Sequence, residues 1–290
     1  MKWQGRRGSR NIEDRRGRSG GMSRGKAVGG VGGLGLIAIV VIGGLLGVDV
    51  SPLLNGVGVG SGGVSTSGAA PITAADKRAG DFVSVTLADT EEIWSEIFTT
   101  QVGVPYEPAV LVLFKGVTQS PCGGASGASG PFYCPADQKA YLDTAFFVTM
   151  ERQMGAGGDF AAAYVVAHEI AHHVQNELGI LGQANQLRAQ VSEAQSNAIS
   201  VRIELQADCY SGIWARYAQE RFGSLERGDI AEAMNAAKQI GDDTLQRNAG
   251  RVPSPHTFTH GTSAQRQRWF ETGFEAATLA ACDTFGAERL

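Results

Sequence analysis

Residues 163 to 179, "AYVVAHEIAHHVQNELG", place two histidines and a glutamate inside a stretch whose other residues belong in a buried helix. A helix advances about 100° per residue, so His168 and His172, four apart, project from one face a turn apart, with Glu169 beside them. Two imidazoles at this spacing can share one metal ion, and the adjacent glutamate can take a proton from a water that the ion activates. The alternative is a helix with a polar, exposed side. Against it stand Val165, Val166, Ala167, Ile170, Ala171 and Val174, among which unpaired polar groups are costly. Burying three such side chains calls for a partner, and a zinc ion is the simplest one. The chain must then supply a third ligand.

"VRIELQADCYSGIWA" contains Glu204 and Asp208, again four apart, on a helix that also carries Ile203, Leu205, Ala207 and Ile213. A glutamate from a second helix completes a His2Glu site and leaves the fourth position open, as in catalytic zinc centres. Asp208 can accept the free ring N–H of one histidine and fix its orientation. The competing reading is a solvated acidic pair bridged to Arg202.

Charge divides the chain. Residues 1 to 27 hold nine Lys and Arg against two acids, a net of +7; since the whole chain carries −4, residues 28 to 290 carry −11. Lys26 and Asp49 enclose 22 uncharged residues, "AVGGVGGLGLIAIVVIGGLLGV", enough at ~1.5 Å per residue to cross a hydrocarbon core of ~30 Å. The expected organisation is a basic cytoplasmic tail (1–27), a transmembrane helix (28–50), a Gly/Ser-rich linker (51–73) and an exported domain (74–290), with a cleaved signal peptide as the competing reading. This implies a single-pass membrane protein with its N-terminus cytoplasmic and residues 74–290 extracytoplasmic. The acidic exported part and the absence of interleaved aromatics in the basic arm argue against a nucleic-acid partner.

All four cysteines follow the apolar stretch, as exported disulfides would. The short loop "CGGASGASGPFYC" favours Cys122 with Cys134, leaving Cys209 with Cys282; free buried thiols are the alternative. "TLADTEEIWSEIFTTQVG", behind an aspartate cap, predicts the first helix. "PAVLVLFKG" is the strongest strand candidate, and "AYLDTAFFVTMERQMG" predicts a strand leading into a helix. From residue 159 the pattern is mostly helical, with one long helix or two across 183–223 and a last helix from Thr262. The fold class expected is α+β, predominantly helical.

HEIAH followed by ELQAD resembles the gluzincin metallopeptidases, in which a glutamate of an ExxxD helix completes the HExxH site. More narrowly, the ordered series "MKWQGRRGSRNIEDRRG", "GPFYCPADQKAYLD", "HEIAHHVQ", "ELQADCYSGIWA" and "FTHGTSAQRQRWF" resembles the bacterial neutral zinc metallopeptidases. The resemblance implies a zincin-like domain with one Zn2+ per chain held by His168, His172 and Glu204, Glu169 as general base, and Asp208 behind His168. "THGTSAQR" offers His260 and Arg266 as donors to the oxyanion of amide hydrolysis. A similar His and Arg pair follows the third ligand in CaaX-prenyl-protease-like gluzincins, with a proline where this chain has Gly261. The other readings of the two residues are that His260 caps the last helix and that Arg266 holds a carboxylate. His256 and Tyr210 are further candidates, and His173 reads as packing or surface. In such enzymes an extended peptide lies along an edge strand above the HExxH helix, a place assigned here to "PAVLVLF" or "PFYCP". The implied function is hydrolysis of peptide or protein substrates, envelope proteins among them. The rivals are a zinc amidase on non-protein envelope substrates and a latent membrane-tethered binding module.

Overall fold

The chain is seen in a computed structural model that describes residues 1–17, 72–126 and 130–290. Its elements are β1 (Ile12–Asp14), α1 (Ala74–Ile97), β2 (Val110–Phe114), β3 (Val117–Ser120), β4 (Gly123–Ser126), β5 (Phe132–Cys134), β6 (Lys139–Asp143), α2 (Ala145–Met154), α3 (Asp159–Glu177), α4 (Ile180–Arg188), α5 (Glu193–Phe222), α6 (Asp229–Gln239), α7 (Asp242–Asn248) and α8 (Ser263–Ala276). The class is α+β, predominantly helical, as expected. One sheet runs β1-β2-β6-β5, with β1, β2 and β6 parallel and β5 antiparallel to β6; β3 and β4 form a separate hairpin. Helix α3 is central, packed by α1, α5 and α6, while α5 makes its most extensive contact with α8.

Helix α1 begins twelve residues before "TLADTEEIW", where Thr73 and Asp76 form a capping box. Asp89, expected as its cap, lies buried mid-helix and accepts from both Nη atoms of Arg6 at 2.7 and 2.6 Å. The region 183–223 is two helices, because Ser192 starts α5 with its own capping box to Gln195. Strand β2 is internal, flanked by β1 and β6, so "PAVLVLF" is not the edge; β5, from "PFYCP", is. Both expected disulfides form, Cys122–Cys134 and Cys209–Cys282. Helices α5 and α8 cross closely. A Cβ on Gly212 would lie 2.0 Å from the Phe270 carbonyl oxygen, and one on Gly273 would lie 1.8 Å from that of Cys209.

The basic N-terminal segment is built into this body. Strand β1 pairs with β2 from Ile12↔Leu111 to Asp14↔Leu113. Arg16 pairs with Asp14 at 2.7 Å and donates to the Asp76 carbonyl at the start of α1. The Met1 amino group lies 2.5 Å from Asp159 in the first turn of α3 and 3.4 Å from Asp229. Setting residues 1–27 apart as a tail is therefore corrected for residues 1–17: β1 is part of the sheet, and the Met1 amino group, Arg6 and Arg7 pair with carboxylates of the domain. Neighbouring strands of one sheet share one side of any membrane, which also corrects the expected orientation, with residues 1–17 and 74–290 on opposite sides. The expected transmembrane helix (28–50) and most of the linker lie outside the described residues, and no described helix is long and apolar enough to cross a membrane.

Glu13 ties this arm to the sheet through Arg15 (2.8 Å) and Lys139 (2.7 Å). Their hydrogen bonds, Arg15 first, hold its carboxyl at about 2, against an ordinary value of 4.5. A depressed folded value gives stabilisation that is complete above the unfolded value and lost as pH falls through the folded one. Amide-exchange protection of β1 is thus expected to fall between pH 4.5 and 2 in the wild type. Glu13→Gln is expected to show weaker protection without that step.

Candidate metal centre

Helix α3 enters from Gly158, whose φ of 116° suits glycine, and ends at Gly179, φ 74°. Between them nearly every residue is buried, so the helix packs on all sides and carries its polar residues into the interior. Helix α5 lies against it and brings Glu204 to the two histidines. His168 Nε2 is 3.1 Å from Glu204 Oε2, and His172 Nε2 is 3.5 Å from Glu204 Oε1. Ligand atoms of the three residues all fall within 4.8 Å of one another.

The far side of each ring supports the same reading. His172 Nδ1 lies 2.8 Å from Gln175 Oε1, an acceptor, so Nδ1 carries the proton and Nε2 presents a lone pair. Gln175 is fully buried, and its amide donates to the Ile203 carbonyl and to Gln206 on α5. His168 Nδ1 lies 2.9 Å from Asp208 Oδ1. Two ring nitrogens and a carboxylate thus converge, with His172 Nδ1 hydrogen-bonded to Gln175 and His168 Nδ1 at ion-pair distance from Asp208, outside hydrogen-bond geometry. That donor set fits a divalent cation of the zinc type with an open position.

Asp208, fully buried, accepts from Arg266 Nε at 2.8 Å and Nη2 at 2.9 Å, and from the Tyr164 hydroxyl at 2.5 Å. Arg266 is itself 2% exposed, and its remaining nitrogen points to the Ile240 carbonyl. Its guanidinium is spent on Asp208, so the structure gives it the carboxylate-holding place instead of the expected one as donor to substrate. Burial works against ionised Asp208, but Arg266 and then His168 outweigh it and hold the carboxyl low. Burial likewise opposes a charged His168, yet Asp208 and Glu204 raise the ring to about 9. The Glu204 carboxyl is held well below its usual range by His172 and His168, against its burial. Glu169, 9% exposed, has no such partner, and burial pushes it up to about 7.

His260 reaches the site from the loop before α8. Its charge is felt by both Glu169 and Glu204. Its Nδ1 lies 3.2 Å from Asp242 Oδ1, while Asp242 Oδ2 accepts the backbone N–H groups of Thr259, His260 and Gly261 at 2.8, 2.6 and 2.9 Å. Gly261 has φ 88° and donates its N–H, two things a proline cannot do. His256 is exposed and its ring meets Ser254 of its own loop, and Tyr210 is buried against Trp94; neither joins the site. His173 is buried, and burial pushes its ring down. Tyr164, Gln175 and Asp242 escaped the sequence reading. The first two had a signal: each is polar within the apolar helix, four before His168 and three after His172. Asp242 is one of two adjacent acids in "IGDD".

A family model described as "Putative neutral zinc metallopeptidase" matches residues 1–285. The chain belongs to that family. It is similar to "Uncharacterized protein YpfJ" of Escherichia coli K12, 46% identical over 291 residues that cover 99% of each chain. It is also similar to "Uncharacterized protein Rv2575" of Mycobacterium tuberculosis H37Rv, 49% identical over 189 residues, 61% of this chain and 62% of that one. No solved structure matches.

If Asp208 orients His168, Asp208→Asn is expected to weaken zinc affinity by about 10- to 100-fold in a chelator competition. Arg266→Met strands the Asp208 charge in the interior. It is expected to lower stability by roughly 3–5 kcal/mol in a denaturant titration, and a change under ~1 kcal/mol would remove Arg266 from the framework.

Proposed function

We propose that the chain is a zinc metallopeptidase that hydrolyses peptide bonds at the His168, His172, Glu204 centre, with Glu169 as general base. The observation that carries this is the convergence of two ring nitrogens and one carboxylate beside a buried, otherwise unpartnered glutamate. When bound, zinc supplies a Lewis acid that polarises a carbonyl and acidifies water. Glu169, raised to about 7 by burial, can accept the proton of the attacking water on its carboxylate and return it to the leaving amine. His260 has its Nδ1 side engaged by Asp242 and Thr259. Its Nε2 is then the atom able to donate to the developing oxyanion. Arg266 acts at one remove, holding Asp208 and through it the ring of His168. Edge strand β5 can pair with an extended peptide on the side away from β6.

The two disulfides suit an oxidising, extracytoplasmic compartment, where peptides and envelope proteins are the substrates within reach. The mostly apolar stretch 28–50 is proposed to hold the chain at a bacterial membrane, with residues 1–17 and 74–290 on the same side of it. Carbonate-resistant recovery in the membrane fraction is expected for the full chain.

The function is tested with the full-length chain and its Glu169→Gln variant, measuring bound zinc and cleavage of an unstructured protein. Both are expected to hold about one zinc, and only the wild type to cut. Zinc in both with cleavage in neither would reject the peptidase. A panel of cell-wall fragments would then test the amidase, and inactivity there too would leave a tethered binding module.

A further inference from the structure

The motif reads HEIAHH, and its last histidine has no part in the chemistry above. His173 projects about 100° around α3 from His172, away from the ligand face. It is 2% exposed, so a polar ring there needs partners, and it has two. Nε2 lies 2.7 Å from the Glu107 carbonyl, which only accepts, so Nε2 carries the proton. That leaves Nδ1 as an acceptor, 3.0 Å from the hydroxyl of Tyr133. Tyr106 and Tyr133 each meet the ring edge-on, at centroid distances of 5.7 and 5.6 Å.

Tyr133 is the middle residue of β5, the edge strand. Side chains alternate along a strand, so Phe132 and Cys134 face one way and Tyr133 the other. On the first face, Cys134 is tied to Cys122 and Phe132 stacks on Tyr141 at 4.9 Å. On the other, Tyr133 packs against Leu181, Ala184 and Ile203, and its hydroxyl reaches α3. Three residues of antiparallel pairing with β6 are a short ladder for a strand meant to receive another chain.

We infer that His173 is a positioning residue for substrate: its ring, aimed by the Glu107 carbonyl, holds the Tyr133 hydroxyl and so fixes edge strand β5 relative to the helix that carries His168, Glu169 and His172. The bond sets where a peptide backbone paired to β5 runs past the metal centre. It contributes to binding the peptide, and leaves the ligands and the base untouched. The inference deepens the peptidase reading and rests on it for its kinetic part. The bond itself is tested independently.

Tyr133→Phe keeps the ring and its packing and removes only the hydroxyl. In the full-length chain it is expected to retain wild-type zinc content, to raise KM for an unstructured protein substrate about fivefold, and to leave kcat within about twofold. Amide hydrogens of β5 are expected to exchange faster. His173→Phe is expected to give the same KM, and the double variant no more than either single one, since all three lose the same bond. A residue that merely stabilises the fold would lower zinc content and kcat together. Unchanged KM in Tyr133→Phe, or additive effects in the double variant, would overturn the inference. Should His173→Phe not fold, Tyr133→Phe decides alone. A wild type that cuts no peptide defeats the peptidase reading, and β5 exchange then judges the bond: unaltered exchange in Tyr133→Phe rejects it.

Discussion

The Asp208 carboxylate, without solvent exposure, is the point at which three helices meet. It stands on α5, receives two hydrogen bonds from Arg266 of α8 and one from Tyr164 of α3, and lies against the ring of His168. A buried charge is tolerated only when compensated, so these groups have to be in place together for the interior to close. The neighbouring residues enforce that arrangement mechanically. Cys209 is bonded to Cys282, and Gly212 and Gly273 let α5 and α8 approach until backbone meets backbone. The ligand geometry follows from this framework, since Glu204 sits one turn before Asp208 on the same helix.

A second tie, Gln175, works from the opposite side of the centre. It accepts from His172 and donates into α5, so each histidine is oriented by a residue that also links α3 to α5. The proposed metal centre is thus preformed by packing and hydrogen bonding between helices, and among the described residues a loop contributes to it through His260. There the Asp242 carboxylate gathers three successive backbone N–H groups and the imidazole, giving a loop the rigidity that helices provide elsewhere. The proposed ligands and base come from rigid elements, as precise chemistry requires.

Much of this was legible beforehand because it rests on local spacing. His168, Glu169 and His172 announce themselves by polar character at helical intervals in an apolar run, Glu204 and Asp208 likewise, and the cysteine pairing by a short loop. What could not be read is what depends on distant partners. The arginines of the N-terminal segment look like a solvated tail until Asp89 and Asp76 of α1 are seen opposite them. A charge run carries no mark of being matched elsewhere. Asp89 resembles a helix cap for the same reason, its partner Arg6 being 83 residues away. Arg266 and His260 were visible as candidates, but whether a guanidinium faces a substrate or a buried carboxylate is decided by how α8 lies on α5.

The central claim is that two imidazoles and one carboxylate hold a catalytic zinc and leave it open. Zinc K-edge absorption spectroscopy on the purified full-length chain tests this directly. The account predicts a first shell of two ring nitrogens at about 2.0–2.1 Å and light oxygen donors at a similar distance, without sulfur, and loss of that signature in Glu204→Ala. A sulfur-containing shell, a third histidine in the first shell, or a spectrum unchanged in Glu204→Ala would contradict it.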